Sequence, residues 1–181
     1  MSPMIAHALV WAPTAALVAI GMDAWAALLH RCVWHRKLWD IHVSHHRRRA
    51  GRFEANDVLS ASHAPLAFAL VILGCVAAPS PARELSFGVG LGMSIFGVAY
   101  VLVHDGLAHR RLPVGGLLRA PLLRTYLLTV VRAHRRHHGR GGGPPFGLFF
   151  GPWERRAASH RFTPRHASRS TRSRGPSEPA T

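Results

Sequence analysis

The sequence predicts an all-α protein: an integral membrane helical bundle carrying a histidine-rich di-metal site on its cytosolic face. Three observations lead there. Apolar runs of membrane-spanning length recur through the first two thirds of the chain. Hydrophobic residues make up 48% while the formal net charge is +15, a pairing that suits a membrane protein with one positive face. Ten of the fourteen histidines fall into four spaced clusters, two of which begin where an apolar run ends.

At 181 residues the chain fits one domain. Residues 8–29 (ALVWAPTAALVAIGMDAWAALL) hold a single charge, Asp23, and are long enough to cross a bilayer. No Lys or Arg precedes residue 8 and histidines follow directly, so the run reads as a retained span rather than a cleaved leader. Residues 58–78 predict a second span, kinked at Pro65, and 86–103 a third whose glycines permit close helix packing. The short linker PSPARE makes these two a hairpin. The stretch 117–131 is apolar but carries Arg119, Arg124 and Pro121; it predicts an interfacial or re-entrant helix, because an inserted arginine costs about 2.5–3.5 kcal/mol or more. Residues 1–154 thus form the membrane domain, and 155–181, rich in Arg, Ser, Pro and His, a basic disordered tail.

Charge sets the expected orientation. The loop 31–57 carries seven Lys/Arg, and most of the others follow Arg110, whereas the tip of the hairpin has Arg83 beside Glu84. The positive-inside rule puts 30–57 and 104–181 in the cytoplasm, with every clustered histidine on that side.

The clusters are His30-x4-His35, His42-x2-His45-His46, His104-x4-His109 and His134-x2-His137-His138. Residues i, i+3 and i+4 share one helical face, so each H-x2-H-H can aim three imidazoles at one site. Residues i and i+5 lie about 140° apart on an ideal α-helix. The H-x4-H pairs therefore sit at helix ends or local distortions, which Gly106 could permit, or serve two different metals. Ten imidazoles exceed the four ligands of a structural zinc site and suit two metals. Imidazole accepts Fe, Cu, Ni and Zn, so the ligands alone leave the metal open. There is neither an H-E-x-x-H nor a Glu-x-x-His motif, which argues against a zincin protease and a carboxylate-rich di-iron bundle. Cys32 and Cys75 stand apart, without a thiolate motif or disulfide framework. His7, His63, His160 and His166 lie outside the clusters and read as structural or solvent-facing.

An acid within a span is costly, so Asp23, seven residues before His30, is a candidate for orienting a ligand ring. Asn56, Asp57, Asp105 and Glu54 are others, each able instead to cap a helix or pair with an arginine. Trp25, Phe96 and Tyr100 could line a substrate path or simply pack between helices. The segment PFGLFFGP (145–152), after a glycine run, is expected to dip into the membrane interface.

The order of the clusters, with HVSHHRRRAGRFEANDV (42–58), VHDGLAHRRLP (103–113), AHRRHH (133–138) and PFGLFFGP, resembles the beta-carotene hydroxylases of the fatty acid hydroxylase and sterol desaturase superfamily. The resemblance covers residues 20–152. It implies a non-heme centre of two Fe ions held by the ten histidines, with O2 as co-substrate and an electron donor such as reduced ferredoxin. It implies a carotenoid substrate in the bilayer, hydroxylated on its beta-ionone ring (beta-carotene to beta-cryptoxanthin to zeaxanthin, or ketocarotenoids to astaxanthin). The membrane would be the cytoplasmic membrane if the chain is bacterial. Arg47 and Arg48 and the basic tail have no counterpart role to carry over. Two other readings compete: a related hydroxylase or desaturase acting on fatty acyl or sterol substrates, and a non-enzymatic basic membrane protein binding metal or nucleic acid. On the first reading no nucleic acid partner is expected.

Overall fold

A computed structural model describes residues 3–47, 53–139 and 142–161. All of its regular structure among these residues is helical. Helix α1 (Pro3–Leu29) runs without interruption into a π-helical turn, His30–Trp34, and α2 (Trp39–His46) follows. Helices α3 (Asp57–Ala61) and α4 (Ala64–Val76) form one apolar rod, broken at Ser62–His63 just ahead of Pro65. The expected kink near Pro65 takes the form of this break, with the proline in the first turn of α4, where its missing N–H costs no helical hydrogen bond. Helix α5 (Pro81–Tyr100) continues into a second π-helical stretch, Val101–Ala108. A 3-10 turn (Gly115–Arg119), α6 (Pro121–Gly139) and α7 (Gly151–Arg161) complete the chain.

Among the described residues, three helical rods are long and apolar enough to cross a membrane: His7–Trp34, Asp57–Val76 and Pro81–Ala108. The first and third outrun the expected spans because the π-helical stretches carry them into the histidine clusters. The α4–α5 hairpin is tied at its tip. The Ser80 hydroxyl caps α5 by accepting from the Arg83 amide at 3.2 Å, and Arg83 Nε donates to the Gly74 carbonyl at 3.0 Å.

Helix α5 lies between α1 and α4, and glycine lets it approach both. A β-carbon at Gly88 would stand 2.8 Å from the Trp11 carbonyl oxygen on α1, and one at Gly90 2.8 Å from that of Ala67 on α4. The outward faces of the rods remain apolar and exposed, as at Leu17, Phe68, Ile95 and Val98.

The segment 117–131 divides at Pro121, which opens α6; proline suits a first helical position because it lacks the N–H a preceding turn would need. Helix α6 then runs on through the fourth histidine cluster. Its inner face (Leu127, Val130, Val131) packs with Val103, Leu107 and Leu148 into a small buried core. Helix α7 continues seven residues into the segment expected to be an unstructured tail; the remainder of that tail, with His166, lies outside the described residues. Arg48, Arg49 and Arg52, counted in the charge reading, lie outside them too.

Candidate metal centre

The two H-x4-H pairs are brought together by π-helical hydrogen bonding. The His35 amide donates to the His30 carbonyl at 3.0 Å, and that of His109 to His104 at 2.9 Å. These i→i+5 bonds widen the turn by one residue, so side chains i and i+5 fall nearly over one another. Of the alternatives the spacing leaves open, a local distortion is the one the structure shows, and this is the form it takes. Gly106 lies inside the second stretch and also makes room for Val114, whose side chain a β-carbon would strike.

All ten clustered histidines meet at one end of the bundle, in two groups. His30, His35, His42, His46 and His137 form the first; His45, His109, His134 and His138 form the second, with their ligand nitrogens within 4.8 Å of one another in each group. His104 borders the second, its Nε2 3.1 Å from that of His45. The expectation that an H-x2-H-H triplet serves one site is therefore corrected. In α2, His42 and His46 turn to the first group and His45 to the second; in α6, His134 and His138 turn to the second and His137 to the first. Residue i+3 sits about 60° back around the helix from i, on the other side from i+4, enough to reach the neighbouring group.

Within the groups the Nε2 atoms crowd together: His30 to His42 at 3.0 Å, His35 to His137 at 3.2 Å, His109 to His134 and His138 to His134 at 2.9 Å. Half of the rings have Nδ1 committed. His30 donates to the Phe146 carbonyl at 2.9 Å, His42 to Asn56 Oδ1 at 2.7 Å and His137 to the Gly143 carbonyl at 2.7 Å. His45 donates to Glu54 Oε1 and His104 to Asp105 Oδ1, both at 2.8 Å. A ring that carries its proton on Nδ1 presents a lone pair at Nε2. The His30–His42 and His45–His104 contacts thus set two lone pairs head to head at 3.0 and 3.1 Å.

A cation between them reconciles that arrangement. An ion about 2.0–2.1 Å from each imidazole nitrogen places right-angled ligands about 3 Å apart, so the donor set fits a first-row divalent metal. The rings are held neutral, as ligands must be. Burial, reinforced by neighbouring imidazoles, pushes His46 and His109 down to about 3 and His42 and His137 to about 4.

The supports of the two groups differ. The first leans on residues 143–150. Asp23, buried in α1, accepts from the amides of Leu148 and Phe149 at 3.1 Å and of Phe150 at 2.8 Å. Glu154 of α7 accepts from Phe146 and Gly147 at 2.8 and 3.1 Å. Two carboxylates therefore fasten the loop whose carbonyls orient His30 and His137. Asp23 is not itself bonded to a ligand ring, the role expected of it; it acts one step removed. The loop covers the first group, with the Phe146 ring 5.4–5.7 Å from those of His30, His35 and His137. Gly142, at φ 81°, takes the left-handed turn that glycine tolerates, directly beside His35.

The second group leans on a charge cluster. Arg111 makes a two-pronged bond to Asp57, both distances 2.6 Å, and lies 3.7 Å from Glu54 and 3.6 Å from Asp105. Burial pushes the Glu54 carboxyl up, but the His45 bond and Arg111 outweigh it and hold it below the usual range. Asp57 touches no ligand ring; it holds Arg111 and the Glu54 amide. Asn56 is buried and further fixed by Ser44 and Ser60. Arg111 and Glu154 are functional residues the sequence reading missed. The acid in the first turn of α7 and the arginine two residues past His109 were the signals to follow.

The remaining candidates separate. Tyr100 stacks on His104 at 4.4 Å between centroids and Phe96 lies 6.1 Å from Phe149. Trp25 donates to His63 at 2.9 Å, away from both groups. Cys32 and Cys75 are exposed free thiols, and His7 pairs with Glu84 at 2.9 Å.

Fold and site together define a helical, histidine-rich protein whose side chains could hold metal ions at one end of an apolar bundle. The chain belongs to the fatty acid hydroxylase family, whose sequence model matches residues 15–158. It is 45% identical over 137 residues to beta-carotene 3-hydroxylase 2 of Arabidopsis thaliana, covering 75% of this chain and 44% of that one. It is 46% identical over 137 residues to beta-carotene hydroxylase 1 of Capsicum annuum, covering 75% and 42%. With the beta-carotene hydroxylase of Pantoea ananas it shares 37% identity over 139 residues, 75% of this chain and 74% of the other. The chain spans less than half the length of these plant relatives. No solved structure matches.

Proposed function

We propose that the chain is an integral-membrane hydroxylase that places a hydroxyl group on the ring of a carotenoid, using two iron ions, O2 and two electrons from a donor such as reduced ferredoxin. The single observation that carries this reading is the pair of adjacent imidazole groups, taken with relatives named for beta-carotene hydroxylation. Breaking an unactivated ring C–H bond is beyond acid–base side chains; the bound iron supplies the oxygen-activating redox chemistry.

The residues of the chain do the rest. His30, His35, His42, His46 and His137 hold one ion, and His45, His104, His109, His134 and His138 the other. Asn56, Glu54, Asp105 and the carbonyls of Gly143 and Phe146 accept hydrogen bonds from Nδ1–H of five rings and so keep the Nε2 of those five bare and aimed. Phe146 and Tyr100 lie against the rings and help keep bulk water away. The exposed apolar faces of α1, α4 and α5 meet lipid, and a substrate dissolved there arrives from the bilayer rather than from water. The excess of Lys and Arg on the histidine-bearing loops supports a site at the cytosolic surface. The hydroxylase domain takes in residues 1–154 and the rest of α7 to Arg161, ahead of an appended basic segment.

Expression in cells that accumulate beta-carotene, followed by chromatography of the pigments, tests the reading. Beta-cryptoxanthin and zeaxanthin are expected. Unchanged beta-carotene from well-expressed, iron-loaded protein with a working electron supply overturns it, and a hydroxylated acyl or sterol product redirects it.

A further inference from the structure

Helix α6 has two faces with different business. At about 100° per residue, His134, His137, His138, Leu127, Val130 and Val131 occupy the inner arc. The outer arc holds Arg124, Leu128, Arg132, Arg135 and Arg136. Two adjoining hollows follow it. One, of about 430 Å3, is lined by Thr129, Arg132, Arg135, Arg136 and Arg155; the other, of about 290 Å3, by Arg124, Thr125, Leu128, Thr129 and Arg132. They share Thr129 and Arg132, so they form one groove, and from Arg124 to Arg136 it follows about 18 Å of helix. Among the described residues, no carboxylate pairs with Arg124, Arg132, Arg135 or Arg136. Arginines on other elements find such partners: Arg83 lies beside Glu84, and Arg111 is ringed by three acids.

We propose that this arginine groove is the docking surface for a small acidic one-electron carrier protein, which passes electrons across α6 to the histidine groups. The inference rests on the hydroxylase reading, which requires electrons from outside. Three features select this occupant. The charge is complementary to an acidic partner, and complementary charge speeds encounter. The groove is longer than one bound anion would fill. And α6 is the helix that contributes to both histidine groups, so a partner seated on its outer face lies one helix thickness, about 10–12 Å, from either. The balance is R–H + O2 + 2 e− + 2 H+ → R–OH + H2O. Each docking oxidises one reduced carrier and delivers one electron, two dockings complete a turnover, and the protons come from solvent.

The test compares two charge-reversal pairs in full-length, iron-loaded protein in phosphatidylcholine nanodiscs: Arg132→Glu with Arg135→Glu in the groove, and a flank pair, Arg31→Glu with Arg36→Glu, at exposed positions outside the groove. The probe is a plant-type [2Fe-2S] ferredoxin. Its affinity is measured directly, and hydroxylation is driven either by reduced ferredoxin or by a neutral photoreduced deazaflavin. The groove pair is expected to lose about tenfold or more in ferredoxin affinity at low salt, with the difference closing at high salt. Its metal content and its deazaflavin-driven rate stay at the unmutated level, and the flank pair loses less than about threefold. Equal losses in both pairs would overturn the proposal, since the effect would then be one of overall charge. So would unchanged ferredoxin affinity with reduced retention of phosphatidylglycerol, which makes the groove a lipid headgroup site. If iron-loaded protein hydroxylates no carotenoid with either reductant, the proposed function fails, and the ferredoxin affinities still decide the groove.

Discussion

Replacing Asp23 with asparagine should empty one histidine group and spare the other. The carboxylate accepts three backbone amides, from Leu148, Phe149 and Phe150. The asparagine is of equal size but offers a single acceptor oxygen and turns an N–H2 toward donors. At least one buried amide is left unpaired, a cost of about 1–3 kcal/mol, and the surviving bonds lose their charge assistance. A loss of about 2–4 kcal/mol in folding stability follows. The loop so loosened carries the two carbonyls that orient His30 and His137, both in the first group. Loss of such an outer support typically weakens metal binding 10–100-fold. Purified protein dialysed against a graded series of chelator should therefore pass from about two metal ions per chain to about one at a chelator strength the unmutated protein resists. Glu154→Gln, which releases the same loop from α7, should repeat the pattern. Two ions retained equally well, or both lost in parallel, would refute the idea that this loop serves the first group.

The complementary substitution is Arg111→Leu. It strands Glu54, Asp57 and Asp105 together, and breaking such a largely buried network costs about 3–5 kcal/mol; metal loss should begin in the second group, read by the same titration. Gly106→Ala drives a β-carbon into Val114 and should lower the melting temperature by the equivalent of about 1–3 kcal/mol, with Val114→Ala on the same chain restoring most of it. Acid should destabilise the metal-stripped protein: with His42, His46, His109 and His137 held at about 3–4 against an ordinary 6.5, the unfolded chain binds more protons across that window. Stability therefore rises with pH through it, and melting curves from pH 4 to 7 should show the midpoint climbing. Chelation of the loaded protein should lower its melting temperature at pH 7, since ligands that bind the folded state alone stabilise it.

The sequence announced the ten histidines because four clusters with two repeated spacings stand out against any composition. At each H-x4-H it left a helix end, a local distortion or two different metals open, since an α-helix cannot bring residues i and i+5 together. It did not announce the sorting of the H-x2-H-H rings, because which group a ring meets depends on how α2 and α6 cross, and crossing is set by contacts far along the chain. Asn56, Glu54 and Asp105 were legible as polar residues beside clusters. Asp23 was legible as a buried acid, but not its partners, since a backbone amide leaves no trace in the residue letters. The same holds for the Gly143 and Phe146 carbonyls, which any residues could supply. The long apolar helices were legible to within a residue or two, except where π-helical turns lengthened them and where α5 starts at Pro81, in a polar first turn that hydropathy alone assigns to the linker.

The crosswise exchange of His45 and His137 has a consequence for how the protein is made. Neither the early nor the late part of the chain carries five rings for a single group: the first waits for His137 and the second for His109, His134 and His138. An emerging chain therefore possesses no complete metal seat until α6 has left the ribosome and swung against α2. If each group takes an ion, as proposed, loading is a late event, and each ion would act as a rivet between segments made well apart in synthesis.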